Sequence, residues 1–157
     1  METGGVKFAE YFKSANNTPN KCGEEEECLV CANDKNKIDC KTSNVCYTLF
    51  CTLCKDRKID RSYIGESSRG AFWRQREHRM QLRSKNKNSV MLKHIRNEHS
   101  TEEEDVKFQM QIIGKYKDAL NRQIRESIEI RNKKPSELLN SKAEFHGPCV
   151  KRKVYDS

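Results

Sequence analysis

The chain has 157 residues, of which 31 are Lys or Arg and 23 are Asp or Glu, giving a formal net charge of +8. Only 34% of its residues are hydrophobic, which allows one modest domain with a small core and a short appendage. No run approaches the roughly 20 apolar residues of a membrane span, and no apolar signal segment opens the sequence. We therefore expect an intracellular protein that makes no membrane contact, and the basic charge favours a polyanion as its partner.

Residues 1–21 are polar and are predicted to be an arm or linker. Residues 22–44 hold four of the eight cysteines and too few apolar side chains for an ordinary core, so a bound metal is expected to fold them. Cysteines spaced as C-x-x-C converge on one tetrahedral ion, which favours zinc over the weaker alternative of a secreted disulfide protein. The predicted ligands of this knuckle are Cys22, Cys28, Cys31 and Cys40, with Cys46 as the substitute for Cys40 and Cys149 as a free thiol.

From residue 45 onward the pattern is that of mixed helices and strands. Residues 45–51 and 59–65 are rich in strand-forming side chains, and 51–58 would form an enlarged hairpin turn between them. Ser67 and Ser68 are candidate N-caps for a helix that runs to about Leu82.

A second, short helix is expected to begin at Ser89. The clearest strand covers 106–112, where apolar and polar residues alternate. A last helix is predicted over 117–132, with Leu120, Ile124 and Ile128 as its main apolar row, and Pro135 bars its continuation. These elements predict an α/β (α+β) fold, a small three-stranded antiparallel sheet flanked by helices over 45–140, followed by a basic tail over 141–157.

The positive charge is concentrated between Arg69 and Arg96, where nine Lys or Arg residues stand against one acid, Glu77. Such a stripe is typical of a surface that contacts a nucleic acid backbone. The alternative is a solvated basic face. The candidate DNA-backbone contacts are Arg69, Arg76, Arg79, Arg83, Lys85 and Lys87.

Two tyrosines and an Arg-x3-His pair suggest chemistry on that partner. A strand tyrosine is most often a packing residue, but adjacent strands could bring Tyr47 and Tyr63 to one face of the sheet beside a basic helix. Arg74 and His78 are four residues apart and therefore share one helix face.

The order of these residues, followed by a carboxylate-bearing helix and Lys134-Pro135, resembles the GIY-YIG endonuclease domain. Within that superfamily the chain is most similar to the endonuclease of Penelope-like retroelements, in which cysteines interrupt the space between the two tyrosine motifs and two histidines follow. The resemblance covers about residues 22–140. Where the family has the first of its two tyrosine motifs, this chain reads Val45-Cys46-Tyr47 and keeps only the tyrosine. Fifteen residues separate Tyr47 from Tyr63.

The resemblance implies a role for each residue of the site. Tyr47 would be the general base that takes a proton from water, with its pKa lowered by Arg74 and a metal ion. Tyr63 would orient the water or the phosphate, Arg74 would clamp the scissile phosphate, and His78 would contact the phosphate or position Tyr47. The resemblance also implies that Asn140 corresponds to the family's asparagine after the proline.

The neighbours of each acidic residue along the face of the last predicted helix indicate which carboxylate binds the metal. Glu129 shares a row with basic residues, whereas Glu126 shares one with Ala119 and Ile130, whose apolar character indicates partial burial. A partly buried acid needs a cation, so Glu126 is the candidate ligand for one Mg²⁺ or Mn²⁺ ion. Its distance from Pro135 also matches the glutamate of the family. A surface ion pair of Glu126 with Arg122 is the alternative.

A second zinc site is predicted from Cys51, Cys54, His94 and His99. Thirty-nine residues separate the cysteine pair from the histidine pair, which excludes an ordinary DNA-reading zinc finger. This zinc would be structural.

The sequence thus predicts a zinc-stabilised nicking endonuclease acting on DNA. The resemblance further implies a nuclear location, a role in retroelement integration and a reverse transcriptase domain in the same element. The alternative is a catalytically silent, zinc-stapled module that binds nucleic acid.

Overall fold

The computed structural model describes residues 22–23, 26–33 and 38–141. The arm expected over 1–21, Cys149 and all but the first residue of the basic tail expected over 141–157 lie outside these described residues. Within them, no helix is long and apolar enough to cross a membrane.

A three-stranded antiparallel sheet forms the centre of the domain, with β1 in the middle and the strand order β2-β1-β3. This arrangement confirms the predicted small antiparallel sheet with flanking helices. The strands are β1 (Val45–Cys51), β2 (Ser62–Ser67) and β3 (Phe108–Lys115). The α-helices are α1 (Thr52–Asp56), α2 (Ala71–Arg83), α3 (Val90–Glu98) and α4 (Ala119–Asn132), and two 3-10 turns cover Glu103–Asp105 and Pro135–Glu137.

The two faces of the sheet have different partners. Tyr47 and Leu49 of β1 point to the face that carries the main core, together with Met110 of β3. The opposite face is thinner, and its buried apolar cluster joins Ile64 of β2 to Ile130 of α4. The alternation of strand side chains therefore places the tyrosines in the main core and α4 behind the sheet.

The alternation predicted for β3 is confirmed, because Phe108, Met110 and Ile112 are buried while the glutamines between them are half-buried. The strand begins two residues later than predicted and continues to Lys115. A register shift opposite Cys46 and Tyr47 inserts one extra residue into β3. Such a bulge adds twist to the strand pair next to Tyr47.

The predicted capping of α2 by Ser67 or Ser68 is wrong. Ser67 ends β2, and the helix begins at Ala71 after Gly70, which makes no side-chain capping bond. The cysteine-rich segment supplies the missing acceptors, because the Ala71 amide donates to the Thr42 carbonyl over 2.9 Å and the Phe72 amide donates to that of Cys40. A tertiary contact thus replaces the local cap.

The segment between β1 and β2 also differs from the expected hairpin turn. It contains the one-turn helix α1, for which the Cys51 sulfur accepts from the Cys54 amide, and β2 starts at Ser62 rather than at residue 59. The predicted cap of α3 is confirmed, because the Ser89 hydroxyl accepts from the Leu92 amide over 3.2 Å.

The prediction that α4 packs through its main apolar row is wrong. Leu120, Ile124 and Ile128 are 56%, 45% and 43% exposed. The helix instead packs on the sheet through Ile130 and through Arg122, whose side chain ion-pairs with Glu66 and donates to backbone carbonyls. Because its donors are bonded in this way, a buried guanidinium can attach a helix to the sheet through a face that is polar in sequence.

Each edge of the sheet makes hydrogen bonds to another segment, which shortens the unpaired strand edges that promote aggregation. Along β2, Leu139 donates to the Ser62 carbonyl over 2.8 Å, and the Asn140 side chain bonds both backbone groups of Ile64. Along β3, Met110 donates to the Leu29 carbonyl over 2.8 Å. The cysteine-rich segment is therefore docked on the edge of the same sheet that carries Tyr47.

Candidate active site and metal centres

Tyr47 lies at the centre of a buried polar cluster. It is 0% exposed, and its ring centroid is 6.4 Å from that of Tyr63 and 5.9 Å from that of His78. The strand register explains the first contact, because Tyr47 pairs with Gly65, and Tyr63 is two residues from Gly65 on the same face. The structure thus brings together the two tyrosines and the histidine that the sequence singled out.

The Tyr47 oxygen is held by two residues of α2. Arg74 Nε donates to it over 2.9 Å, and it lies 3.0 Å from His78 Nε2. Burial, aided by the charge of Arg74, lowers the pKa of His78 to about 4, so the imidazole is neutral near pH 7. Arg74 can only donate, so in the tautomer that carries the ring hydrogen on Nδ1 the phenol donates its hydrogen to Nε2. Of the two roles expected for His78, this contact favours the positioning of Tyr47.

The expected lowering of the Tyr47 pKa, which was assigned to Arg74 together with a metal ion, is not produced by the protein's own groups. Burial raises this pKa above its ordinary range, with a further contribution from Tyr63. Arg74 acts in the expected direction, but desolvation of a fully buried phenolate outweighs its charge. Tyr47 is therefore a neutral phenol in the folded protein.

The low pKa of His78 makes stability depend on pH. An unfolded histidine gains a proton below about pH 6.5, whereas the folded His78 stays neutral down to a pKa of about 4. The contribution to stability is therefore complete above pH 6.5 and is lost as the pH falls toward 4, by about 3 kcal/mol at most. We expect a His78→Gln variant to lose less free energy of unfolding than the wild type across this interval, measured by urea denaturation of zinc-replete protein. Parallel curves for the two proteins would contradict this assignment.

Gly65 makes room for the Tyr47 phenol. A Cβ at this position would lie 2.5 Å from the Tyr47 oxygen and 2.9 Å from Cε1 of Tyr63. Both distances are shorter than van der Waals contact, so a larger residue must displace the phenol from Arg74 and His78. The glycine between the strands is thus a geometric requirement of the site.

A Gly65→Ala variant tests this requirement. We expect it to lose about 1–3 kcal/mol of unfolding free energy and to lose any activity that depends on the Tyr47 oxygen. Gly114→Ala is the matched control, because its Cβ would meet the half-buried ring of Tyr116, at 2.6 Å, which lies outside the cluster. Equal activity of both variants, at equal folded fraction, would show that the position of the phenol is unimportant.

Glu77 is a member of this site that the sequence analysis did not select. Its carboxylate accepts from Arg74 Nη1 over 2.8 Å and also pairs with Arg69. Arg74 therefore uses Nε for Tyr47 and Nη1 for Glu77, which fixes its plane, and within the described residues Nη2 bonds no acceptor. Glu77 could have been identified from the sequence, because it is the single acid within the basic stripe.

Glu126 lies on α4, and Asn140 lies along the edge of β2. Glu126 is half-buried, and its charge contributes to raising the pKa values of both Tyr47 and Cys46. It is therefore within electrostatic reach of the phenol, while the alternative partner Arg122 pairs with Glu66. Asn140 is buried and accepts from the Ile64 amide over 2.9 Å while donating to its carbonyl over 2.8 Å. Asn140 thus holds the strand between Tyr63 and Gly65.

The basic stripe is divided by the fold into separate surfaces. Arg69 pairs with Glu77 beside Arg74, whereas Arg79 and Arg83 both pair with Glu27 of the cysteine-rich segment. Arg79 is only 8% exposed. Arg76, Lys85 and Lys87 remain exposed.

Cys51, Cys54, His94 and His99 form a buried group whose four candidate ligand atoms all lie within 4.8 Å of one another. The Cys54 sulfur is 3.4 Å from His94 Nε2 and 3.1 Å from His99 Nε2, and the Cys51 sulfur is 3.7 Å from His99 Nε2. A tetrahedral zinc ion separates such sulfur and nitrogen ligands by about 3.6 Å. The group could therefore hold a metal ion and is compatible with structural zinc.

Each histidine of this group is backed by a carboxylate. His94 Nδ1 lies 3.6 Å from Glu98, and His99 Nδ1 lies 3.4 Å from Glu102. Carboxylates behind the far nitrogen commonly orient metal-bound imidazoles. Arg61 and Arg57 hold these carboxylates in turn, over 2.9 Å and 2.5 Å. These acids could have been identified from the sequence, because each stands three or four residues after one of the histidines.

Cys22, Cys28, Cys31 and Cys40 form the second group, again with all sulfurs within 4.8 Å. The sulfurs of Cys22 and Cys31 are 3.8 Å apart, close to the separation of two thiolates on one zinc. Cys40 completes this quartet and the substitute Cys46 does not, since its thiol donates to the Arg122 carbonyl over 3.2 Å. Burial raises the pKa of Cys31 and of Cys54 to about 12, so metal binding at either group must release protons.

Comparison of the chain with known protein families, with curated proteins and with solved structures finds no match.

Proposed function

We propose that this protein is a metal-dependent endonuclease that hydrolyses phosphodiester bonds in DNA, one strand at a time. The observation that carries the proposal is the Tyr47 oxygen, held between Arg74 Nε and His78 Nε2 within electrostatic reach of Glu126. A packing tyrosine needs neither a guanidinium nor a neutral imidazole at its oxygen. Together these groups supply what phosphodiester hydrolysis requires, a proton acceptor and positive charge at the phosphate.

The proton of the attacking water can leave through Tyr47. As water forms its bond to phosphorus, the bond from phosphorus to the 3′-oxygen of the leaving strand breaks, and that oxygen takes up a proton from solvent. The proton of the attacking water passes to the phenol oxygen while the phenol hydrogen passes to His78 Nε2. The imidazole becomes imidazolium, and Tyr47 never becomes a buried phenolate. The raised pKa of Tyr47 disfavours direct deprotonation of water by a tyrosinate, and a neutral His78 can accept the proton instead. Because burial and Arg74 lower the pKa of His78 to about 4, the imidazolium is a strong acid that gives its proton up again at once.

Arg74 and Glu126 act on the phosphate in this mechanism. Arg74 Nη2 can donate to a non-bridging oxygen, and its guanidinium stabilises the charge that develops there. Glu126 offers one half-buried carboxylate, enough for an Mg²⁺ or Mn²⁺ ion whose other ligands are water and phosphate oxygens. When bound, such an ion supplies Lewis-acid stabilisation of the leaving oxygen.

Two structural zinc ions complete the proposal, one in each cysteine-containing group. The buried Cys51 group would join β1 and α1 to α3, and the all-cysteine group would fasten the segment that caps α2. Neither group includes Tyr47, Arg74 or Glu126. Zinc would thus position the elements of the site without entering the hydrolysis.

The biological setting follows from the resemblance to the GIY-YIG endonuclease of Penelope-like retroelements. It implies a nuclear protein, or one otherwise inside the cell, joined to a reverse transcriptase in the same element. A nick that leaves a 3′-hydroxyl would then serve as the primer for reverse transcription during integration.

A catalytically silent nucleic-acid-binding module is the second candidate. The complete burial of Tyr47 favours it, because a general base must meet its water. Arg74, with 27% of its side chain exposed, is the residue that links the phenol to the surface.

Incubation of supercoiled plasmid with the protein and Mg²⁺ or Mn²⁺ distinguishes the two candidate functions. The endonuclease converts supercoiled plasmid to open circles only when the divalent ion is present. The silent module binds the plasmid in a salt-dependent manner and leaves it supercoiled in every metal.

A further inference from the structure

A basic groove lies between α2 and the cysteine-rich segment. Its volume is about 470 Å³, and three arginines, Arg76, Arg79 and Arg83, line it together with Met80 and Ser84. Glu27 is the acidic residue in this lining.

The Glu27 carboxylate occupies the groove as a bound anion would. Its Oε2 accepts from Arg83 Nη2 over 2.9 Å and also from Arg79 Nη2. Two guanidiniums converging on one oxygen are the arrangement expected around a phosphate oxygen. The third guanidinium, of Arg76, stands in the same lining.

The groove is separate from the Tyr47 site. At about 100° per residue, Arg76, Arg79 and Arg83 fall within one narrow sector of α2, and Arg74 lies on the opposite flank of the helix. Arg74 accordingly pairs with Glu77 and bonds Tyr47, whereas Arg79 and Arg83 pair with Glu27. The groove and the Tyr47 cluster therefore lie on opposite sides of the same helix.

We propose that this groove is a second phosphate-binding site, for the backbone of a nucleic acid, and that Glu27 fills it in the free protein. Binding then requires the backbone phosphate to displace Glu27. The inference rests on the nucleic acid partner of the proposed function but not on cleavage.

The exposures of the three side chains permit this exchange. Arg79 is held in place, with 10% of its side chain exposed, whereas the side chains of Glu27 and Arg83 are 57% and 65% exposed. The Glu27–Arg83 pair is exposed on both sides, and an exposed ion pair contributes little to stability. A phosphodiester offers more acceptor oxygens than the single Oε2 that Glu27 uses, so it can engage Arg76 as well.

The test is binding of a short labelled DNA duplex to zinc-replete protein without added Mg²⁺, followed by fluorescence anisotropy over a series of salt concentrations. Glu27→Gln removes the competing carboxylate, and Glu26→Gln is the matched control. Glu26 is the exposed neighbour, and it makes no ion pair among the described residues. We expect Glu27→Gln to bind roughly two- to five-fold more tightly than Glu26→Gln. Its salt dependence should steepen by about one unit for each phosphate newly neutralised.

The arginines provide the second arm. Adding Arg83→Gln to Glu27→Gln should abolish most of the gain, and Arg76→Gln alone should weaken binding and flatten the salt dependence. Lys93→Gln, an equal charge change on the exposed side of α3, should do neither. Equal affinities and salt slopes for Glu27→Gln and Glu26→Gln would overturn the proposal, as would equal losses for Arg76→Gln and Lys93→Gln. If Glu27→Gln gains affinity but the protein never nicks DNA, the proposal for the groove stands and only the proposed endonuclease activity is refuted.

Discussion

Cys54→Ser should lose one zinc ion per chain and the cooperative thermal unfolding transition. Cys54 is 2% exposed, and its sulfur lies close to both histidines of its group. Binding of a structural zinc ion contributes about 10 kcal/mol or more in small zinc domains, which is comparable with the whole stability of a domain this size. Elemental analysis and calorimetry on the same sample measure both losses.

Cys46→Ser is the matched control for this substitution. Cys46 is equally buried, but its thiol donates to the Arg122 carbonyl, a bond that a serine hydroxyl can replace. We expect this variant to keep both zinc ions and to unfold cooperatively. A Cys54→Ser protein with full zinc content and an unchanged transition would refute the metal role of the Cys51, Cys54, His94 and His99 group.

Tyr47→Phe should lower DNA nicking by about 10²- to 10⁴-fold, the usual contribution of a positioned acid–base group. The phenyl ring keeps the packing against Gly65 and Tyr63, so the fold and the affinity for DNA should be unchanged. The substitution deletes the single oxygen that contacts both Arg74 and His78.

Tyr63→Phe is the comparison within the same cluster, and we expect a smaller loss because the relay from Tyr47 to His78 remains. Glu126→Ala should abolish the response to Mg²⁺ or Mn²⁺. Initial rates of plasmid relaxation at equal zinc content measure all three variants. Undiminished nicking by both Tyr47→Phe and Glu126→Ala would disprove this mechanism.

The sheet could be predicted from the sequence because its signals are local. Alternating apolar residues in 106–112 mark a strand with one buried face, and strand formers from Val45 to Cys51 mark the central one. The metal groups could be predicted for a related reason, since C-x-x-C and a histidine pair near the end of one short helix restrict ligand geometry strongly.

The features that sequence reasoning missed depend on contacts between distant segments. Neither the capping of α2 by the Cys40 and Thr42 carbonyls nor the insertion of Arg122 beside Glu66 has a local pattern. The apolar row of α4 was misassigned for the same reason, because a satisfied buried arginine reversed the face that periodicity favoured. The raised pKa of Tyr47 likewise reflects burial, which the charges of neighbouring residues alone do not reveal.

The most direct test of the central claim combines zinc stoichiometry with plasmid relaxation on one preparation. An endonuclease with separate structural and catalytic metals predicts about two zinc ions per chain and relaxation only after Mg²⁺ or Mn²⁺ is added. Two zinc ions with salt-dependent DNA binding, but no relaxation in any divalent metal, would contradict it and establish the silent binding module instead.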